Sequence, residues 1–309
     1  MGRVEPISDA VIPDASLVVQ LLREQAPELA GQDVRPSRTS GSSNWVFRIG
    51  DEYAVRLPRS DTYIDDLLKE AEFLPRLAPH LGVPVPEVRF LAERSSLFPR
   101  PWTVVSWVPG EPPVQLDPSR QARAALGLGR FVSRLHEVDT WGLASGAERW
   151  GYRAGEPVTD VIDGWATSAA QELDDLFDPR QVAEAWRRVR DVPPASRPAC
   201  WVHTDLSAEN LLISSDGGLA GVVDFGGLGI GDRAVDLLYA WSLFDAPARE
   251  ILRTESGADE ATWLRARAWA FVGPGLLTLA HYRDSMPVRT TRLTTMVEAV
   301  AAEVGVALR

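Results

Sequence analysis

Asp205, Asn210 and Asp224 have the residue types and spacing to do chemistry together. They fall in the stretch Trp201–Trp241, where HTDLSAEN puts Asp205 two residues after His203 and five before Asn210. Further on, VVDFGG puts Asp224 at the end of an apolar run, Leu219 to Val223. A carboxylate can orient an attacking hydroxyl and accept its proton, while an amide oxygen and a second carboxylate are hard donors of the kind Mg2+ takes. Those are the two demands of phosphoryl transfer: aim a hydroxyl, and neutralise the charge spread over the transferred oxygens. The expectation is therefore Asp205 facing the hydroxyl and Asn210 and Asp224 holding Mg2+. His203 opens the loop and is expected to be packed or hydrogen-bonded rather than a base. HTD and DFG each occur by chance in turns and strand ends; the order, spacing and strand context of the two together do not.

Such a site needs elements that carry a nucleotide. Residues 14–30 place Leu17, Val18, Leu21 and Leu22 at helical spacing, a short leading helix. RTSGSSNWVFRIGDEYAVRLPR then alternates as a hairpin, with Trp45, Phe47 and Ile49 on one strand, Gly50 and Asp51 in the turn, and Tyr53, Val55 and Leu57 on the next. The small polar loop Ser40 to Asn44, with Ser42 and Ser43, can offer N–H groups and hydroxyls to a phosphate. Arg56 on the second strand and Glu70 on the helix that follows, with Glu72 as its competitor, form the ion pair that would aim a guanidinium at phosphates. That helix carries Ile64, Leu67, Leu68, Ala71 and Leu74 as its apolar stripe and is predicted to kink or end at Pro75. VPVPEVRFLAE and PWTVVSWVPGEPP read as two more strands, the second running into a Pro/Gly linker.

Beyond the linker the chain turns helical. Asp117 and Pro118 open a helix reaching about His136 with Ala125, Leu128, Phe131, Val132 and Leu135 inward. From Glu156 to Asp178 every charged residue is acidic, and Val161, Ile162, Trp165, Ala169, Leu173 and Leu176 recur at helical spacing. This is expected to be a helix with an acidic outer face, able to attract a polycation through residues such as Asp160 and Asp163. Asp178–Pro179 starts another helix, Asp259 caps one over TWLRARAWAFV, and a last helix is expected from about Thr290 to Leu308. Trp241, Trp263, Trp269 and Tyr282 are assigned to the core.

Composition narrows the classes. The 309 residues exceed one small core, so two domains are expected, divided at residues 1–107 and 108–309. A formal net charge of −11 disfavours nucleic acid and favours a cationic small molecule. Cys200 is the single cysteine, which excludes an internal disulfide and the usual structural zinc sites. The start, MGRVEPISDAVIPD, lacks the basic and apolar regions of a signal peptide, and Pro6 spoils a myristoylation pattern at Gly2. The apolar run Ala268 to Ala280 is too short for a bilayer and is interrupted by Gly273, Pro274 and Gly275. A soluble, cytoplasmic protein is expected, with no membrane or nucleic-acid partner. Nothing in the sequence sets an oligomeric state.

The metal-loop motif runs directly into GLGIGDRAVDLLYAW, with no long peptide-docking segment, and Thr204 stands where protein kinases carry an arginine. A small-molecule acceptor follows. Over nearly its whole length the chain resembles the aminoglycoside phosphotransferase family, antibiotic kinases with a protein-kinase-like fold. The matching segments are SGSSNWVFRIGDEYAVRLPR, KEAEFLPRLAPHLGVPVPEV, WTVVSWVPGEPP, HTDLSAENLLI and VVDFGGLGIGDRAVDLLYAW. The resemblance implies an α+β, two-lobed fold with a small antiparallel sheet plus helix and a larger helical lobe. It implies Asp205 as catalytic base, Asn210 and Asp224 on Mg2+, Arg56 on nucleotide phosphates supported by Glu70, and a hinge at Ser106 to Val108 binding the purine. It also implies an acceptor held by the acidic helical lobe, with Asp232 and Asp236 mainly structural. Two departures stand out: HTD in place of HGD, and Arg56 in place of a lysine, which leaves ATP and GTP both open as co-substrate. Three readings follow: a kinase for aminoglycoside-like acceptors; a kinase for macrolides or other natural products on a platform of Trp150, Tyr152 and Trp165; and a nucleotide-binding pseudokinase without turnover.

Overall fold

A computed structural model of the chain describes residues 12–37, 43–146, 148–149, 152–153 and 159–309. In chain order its elements are α1 (Ala15–Gln25), β1 (Val34–Pro36), β2 (Asn44–Ile49), β3 (Tyr53–Pro58), α2 (Ile64–Leu81), β4 (Val88–Ala92) and β5 (Trp102–Ser106). There follow α3 (Pro118–Glu137), β6 (Glu148–Arg149), β7 (Tyr152–Arg153), α4 (Asp160–Glu172), α5 (Pro179–Val189), β8 (Cys200–Val202), β9 (Leu211–Ile213), β10 (Leu219–Val222) and β11 (Gly229–Gly231). The chain ends in α6 (Ala240–Leu243), α7 (Ala246–Glu255), α8 (Glu260–Ala270), a π-helical turn (Phe271–Leu277), α9 (Thr278–Tyr282) and α10 (Pro287–Glu303). Two compact units result: the described residues through Pro75 with Pro86–Trp107, and Arg76–Val85 with Val108–Arg309.

The first unit is a five-stranded sheet in the order β1-β2-β3-β5-β4, antiparallel throughout. Its hairpin forms as the alternation requires. Ile49 pairs with Tyr53 around a turn in which Gly50 takes φ 53°, and a β-carbon there would collide with the Gln32 side chain. Val18, Leu21 and Leu22 of α1 pack with Phe47, Ile49, Val55, Leu57, Trp102 and Val104 in one core. The short β1, which ends at Pro36, has no alternating pattern to betray it and is absent from the sequence reading.

α2 does not end at Pro75. It runs on to Leu81, with Leu74, Leu77 and Leu81 buried; burial of that stripe outweighs the hydrogen bond a proline withholds. Leu68, assigned to the apolar stripe, is 39% exposed.

In the second unit α3 begins as expected, with the Asp117 carboxylate accepting from the Ser119 and Arg120 N–H groups. α4 forms within the acidic stretch, but Val161 faces solvent at 60% exposure while Ile162, Ala166, Ala169 and Ala170 are buried. The inward stripe starts one residue later than the sequence suggests. α8 is capped by Asp259 onto the Thr262 N–H at 2.8 Å. Gly273, Pro274 and Gly275 do not break the helical path; they sit buried in the π-helical turn. The last helix starts earlier than expected, with Pro287 in its first turn, and stops before Gly305, which takes φ 71°. Trp241, Trp263 and Trp269 are buried, as assigned, and Tyr282 is half-buried. Among the described residues no helix is long and apolar enough to cross a membrane.

Candidate active site

Two short ladders in the second unit bring the motif residues together. β8 pairs antiparallel with β11, so the loop that begins at His203 and the segment that ends at Gly229 leave the same ladder, Val202 opposite Gly229. β9 pairs with β10, which sets Asn210 just before one strand and Asp224 just after the other. The Val223 N–H donates to the Asn210 carbonyl at 3.0 Å, closing that hairpin's open end. β10 reaches this place because Gly221 has no side chain: a β-carbon there would stand 2.5 Å from Val108 Cγ1 and 2.9 Å from the Pro84 carbonyl oxygen.

Asp205 is held from both sides. Its N–H donates to His203 Nδ1 at 3.3 Å, and the Asn210 Nδ2 amide donates to the Asp205 carbonyl at 2.8 Å and to Oδ2 at 3.1 Å. Asp205 Oδ1 is buried with no hydrogen-bond partner among the described residues. Because Nδ2 of Asn210 is turned to Asp205, Oδ1 of that amide faces the other way. Asp224 takes a left-handed backbone at φ 63°, which aspartate tolerates better than most residues. One carboxylate and one amide oxygen suit Mg2+, which binds through one or two protein ligands plus phosphates and water. No group of three or more His, Cys, Asp or Glu side chains arranged for a metal ion occurs among the described residues.

His203 is enclosed completely. Nδ1 accepts from Asp205, so the proton sits on Nε2 and is donated to the Val223 carbonyl at 3.1 Å. With Phe225 edge-on at 4.6 Å, the ring is a strut, as the sequence reading expected. Asp236, buried, accepts from the N–H groups of His203 at 3.2 Å and Thr204 at 2.8 Å. His136 Nε2 at the end of α3 lies 2.9 Å from the same carboxylate. Asp232 forms a two-pronged pair with Arg265, at 2.6 and 2.8 Å. Burial pushes the Cys200 thiol up to about 12, so it offers no nucleophile beside the site.

In the first unit Arg56 and Glu70 are both buried and form a direct ion pair, while the competitor Glu72 is exposed. Ser43 accepts from Asn44 Nδ2 at 3.1 Å; Ser42 lies outside the described residues. At the expected hinge, the Ser106 N–H donates to the Glu87 carbonyl, its hydroxyl accepts from the Glu87 N–H, and the Trp107 N–H donates to Glu52. Those donors already serve the sheet.

The acidic helix divides its acids. Asp160 is exposed, but Asp163 accepts from Trp186 Nε1 at 2.8 Å and pairs with Arg190 at 2.6 Å, so both its oxygens hold the fold together. Asp175 is paired with Arg283, and Asp178 caps α5. Trp165 is half-buried; Trp150, Glu156 and the Tyr152 side chain lie outside the described residues.

Sequence reasoning missed three residues here. His136 gave no signal, since a histidine at a helix end is ordinary. Arg289, in the first turn of α10, lies with Nη2 3.5 Å from the Tyr239 hydroxyl. Its guanidinium is held more basic than usual: burial works against the charge, and Tyr239, Asp205 and Glu209 together outweigh it. Arg292 on the same helix pairs with Glu209 of the Asp205 loop at 2.8 Å and donates to the Pro113 carbonyl at 3.2 Å.

A model of the phosphotransferase enzyme family matches residues 36–269. An aminoglycoside 3'-phosphotransferase of Escherichia coli is 25% identical over 255 residues, covering 79% of this chain and 86% of its own. Among solved structures, the GDP and kanamycin complex of APH(2")-IIia superposes with a TM-score of 0.66 at 20% identity, covering 93% of this chain and 98% of the other. The macrolide 2'-phosphotransferase MphH of Brachybacterium faecium gives 0.59 at 19%, covering 92% and 97%. At these identities the structural likeness speaks for the fold: α+β, with an antiparallel sheet and a helical majority.

Proposed function

The chain belongs to the phosphotransferase enzyme family, and from that we propose that it moves the γ-phosphate of ATP or GTP to a hydroxyl of a small, aminoglycoside-like acceptor. One observation carries the reading: Asp205 has one carboxylate oxygen held by Asn210 and the other buried without a partner. A buried acceptor left unmade costs about 1–3 kcal/mol, and a hydroxyl donating to Oδ1 satisfies it in the geometry that proton removal needs. Asp205 then orients the hydroxyl and takes its proton as the phosphoryl group transfers. Asn210 Oδ1 and the Asp224 carboxylate hold Mg2+, which supplies charge neutralisation when bound. Arg56, braced by Glu70, binds nucleotide phosphates together with the Ser42–Ser43 loop, and the Val108 N–H, beside Ser106, serves the purine. The acceptor's ammonium groups are drawn by Asp160 and by the net charge of −11, with Trp165 beside them. The relatives' printed activities support an aminoglycoside acceptor.

Arg289 favours a second reading of the acceptor. A guanidinium that feels the Asp205 charge, with Arg292 one turn along and Asp163 already engaged, suits a hydroxyl compound poor in ammonium groups, such as a macrolide or other natural product. Acceptor-dependent nucleotide turnover over a panel of aminoglycosides and macrolides at two ionic strengths separates them. A cationic acceptor gives a KM that rises with salt, whereas an apolar one is nearly indifferent to it.

In that assay Asp205→Asn is expected to lower kcat at least ~100-fold with nucleotide affinity preserved. An Asp205→Asn enzyme of full activity would remove the base from this account. Nucleotide binding without turnover on any acceptor would make the protein a binding module instead.

A further inference from the structure

Thr204 holds a conformation that its side chain opposes. Its φ is 74°, in the left-handed region, where a β-branched residue is strained. It is fully buried, and its N–H donates to Asp236 Oδ1 at 2.8 Å. Glycine would meet the backbone demand without strain, so something else must offset the side chain's cost. The Thr204 hydroxyl donates to the Gly227 carbonyl at 3.0 Å. One residue earlier, His203 Nε2–H donates to the Val223 carbonyl at 3.1 Å. Val223 and Gly227 stand on either side of Asp224, which is itself left-handed. Two consecutive side chains of the Asp205 loop thus grip the Asp224 segment before and after the metal-ligand position. Asp236 anchors both gripping residues by their N–H groups.

We propose that Thr204 is a positioning residue: its hydroxyl, bound to the Gly227 carbonyl, fixes the Asp224 segment against the Asp205 loop, so that base and metal ligand keep one separation. The proposal rests on the roles assigned above to Asp205 and Asp224. Phosphoryl transfer is almost entirely positioning and electrostatic stabilisation, so a loosened distance between those two groups acts on turnover. The His203 bond and the Val223 N–H bond to Asn210 hold the chain before Asp224, and the β11 ladder takes it up again at Gly229. The Thr204 bond ties the stretch between them, on the far side of Asp224, to the Asp205 loop. Gly227 has no side chain with which to anchor itself, so its carbonyl is the handle available.

Three variants of the full chain test this by kcat, half-saturating Mg2+ and melting temperature. Thr204→Ser keeps the donor and is expected to stay within about threefold of wild-type kcat, whereas Thr204→Val keeps the shape without the donor and should lose about tenfold or more. The Val variant should also need more Mg2+, with the nucleotide KM moving less. Thr204→Gly relieves the backbone and loses the tie; it is expected to melt no lower than the Val variant while matching its low kcat. A residue that only supports the fold cannot give that pattern, because its kcat loss would track its stability loss and the serine would not rescue one without the other. Wild-type kcat and Mg2+ dependence in both Val and Gly variants would overturn the proposal. Asp205→Asn and Asp224→Asn run alongside separate the two claims. If both lose turnover while the Thr204 variants do not, only the clamp is wrong; if neither loses turnover, the roles beneath it fall and the clamp with them.

Discussion

Glu70 gives Arg56 a buried counter-charge, and the strength of that pair follows from burial on both sides. Removing one charge from a buried pair typically costs about 3 kcal/mol or more. Glu70→Gln is therefore expected to lower the melting temperature and to raise the nucleotide KM more than it lowers kcat, since the guanidinium loses the partner that aims it. Denaturant unfolding and steady-state kinetics on the same preparation check both. A destabilised enzyme with an unchanged KM would leave the pair as architecture only. This pair was legible in the sequence because the downstream motifs call for a cation on nucleotide phosphates, and helix spacing put Glu70 near the edge of the buried face. The Asp205, Asn210 and Asp224 loops were legible for another reason: the chemistry dictates their types and their order. What spacing could not reveal was how individual groups are engaged. Asp163 looks like any acid on an exposed face until Arg190 and Trp186 arrive from α5. Arg289 lies 84 residues beyond Asp205 and meets its neighbourhood only through tertiary packing.

Helix boundaries show which local signals govern the elements. Asp–Pro and Asp caps opened α3, α5 and α8 where the sequence placed them, because a cap satisfies backbone donors within its own first turn. Asp259 accepts from the Thr262 N–H, which together with Arg197 and Arg265 holds its carboxyl below the usual range. Asp259→Ala is expected to cost about 1 kcal/mol at neutral pH, the usual worth of a cap, read as a lower midpoint in urea at unchanged slope. No midpoint change would show that α8 is held by packing alone. Breaker signals were less reliable than caps. Pro75 and the Gly273–Pro274–Gly275 run both lie inside helical paths, one carried through by buried leucines and the other absorbed as a π-helical turn. In each case burial of neighbouring apolar residues decided a matter that the local sequence could not.

Over the whole molecule, five carboxylates away from the site share one behaviour. Asp117, Asp175, Glu184, Asp216 and Asp259 are all held below the usual range, by hydroxyl, arginine or backbone donors. A lowered folded pKa contributes stability that is fully present above the unfolded value and is lost as pH falls through the folded one. The melting temperature should therefore hold level from neutral pH down to about 5 and decline gently through and below the ordinary carboxylate range near 4, because most of these groups lie at the surface, where solvent screens them. A melting temperature that is level to pH 3 would contradict these pairings. At the same scale the fold class was readable from element order, a small sheet first and helices after, and the family from its motifs. The acceptor was not, because the groups proposed to meet it on α4 and α10 have no spacing of their own.

Direct transfer to an acceptor under the control of Asp205 is the central claim, and following γ-32P from nucleotide in a single turnover tests it most directly. With Mg2+, nucleotide and a responsive acceptor, the wild-type chain should place the label on the acceptor hydroxyl, and Asp205→Asn should leave it on the nucleotide. Label released only as inorganic phosphate, label carried on the protein, or undiminished transfer by Asp205→Asn would contradict it.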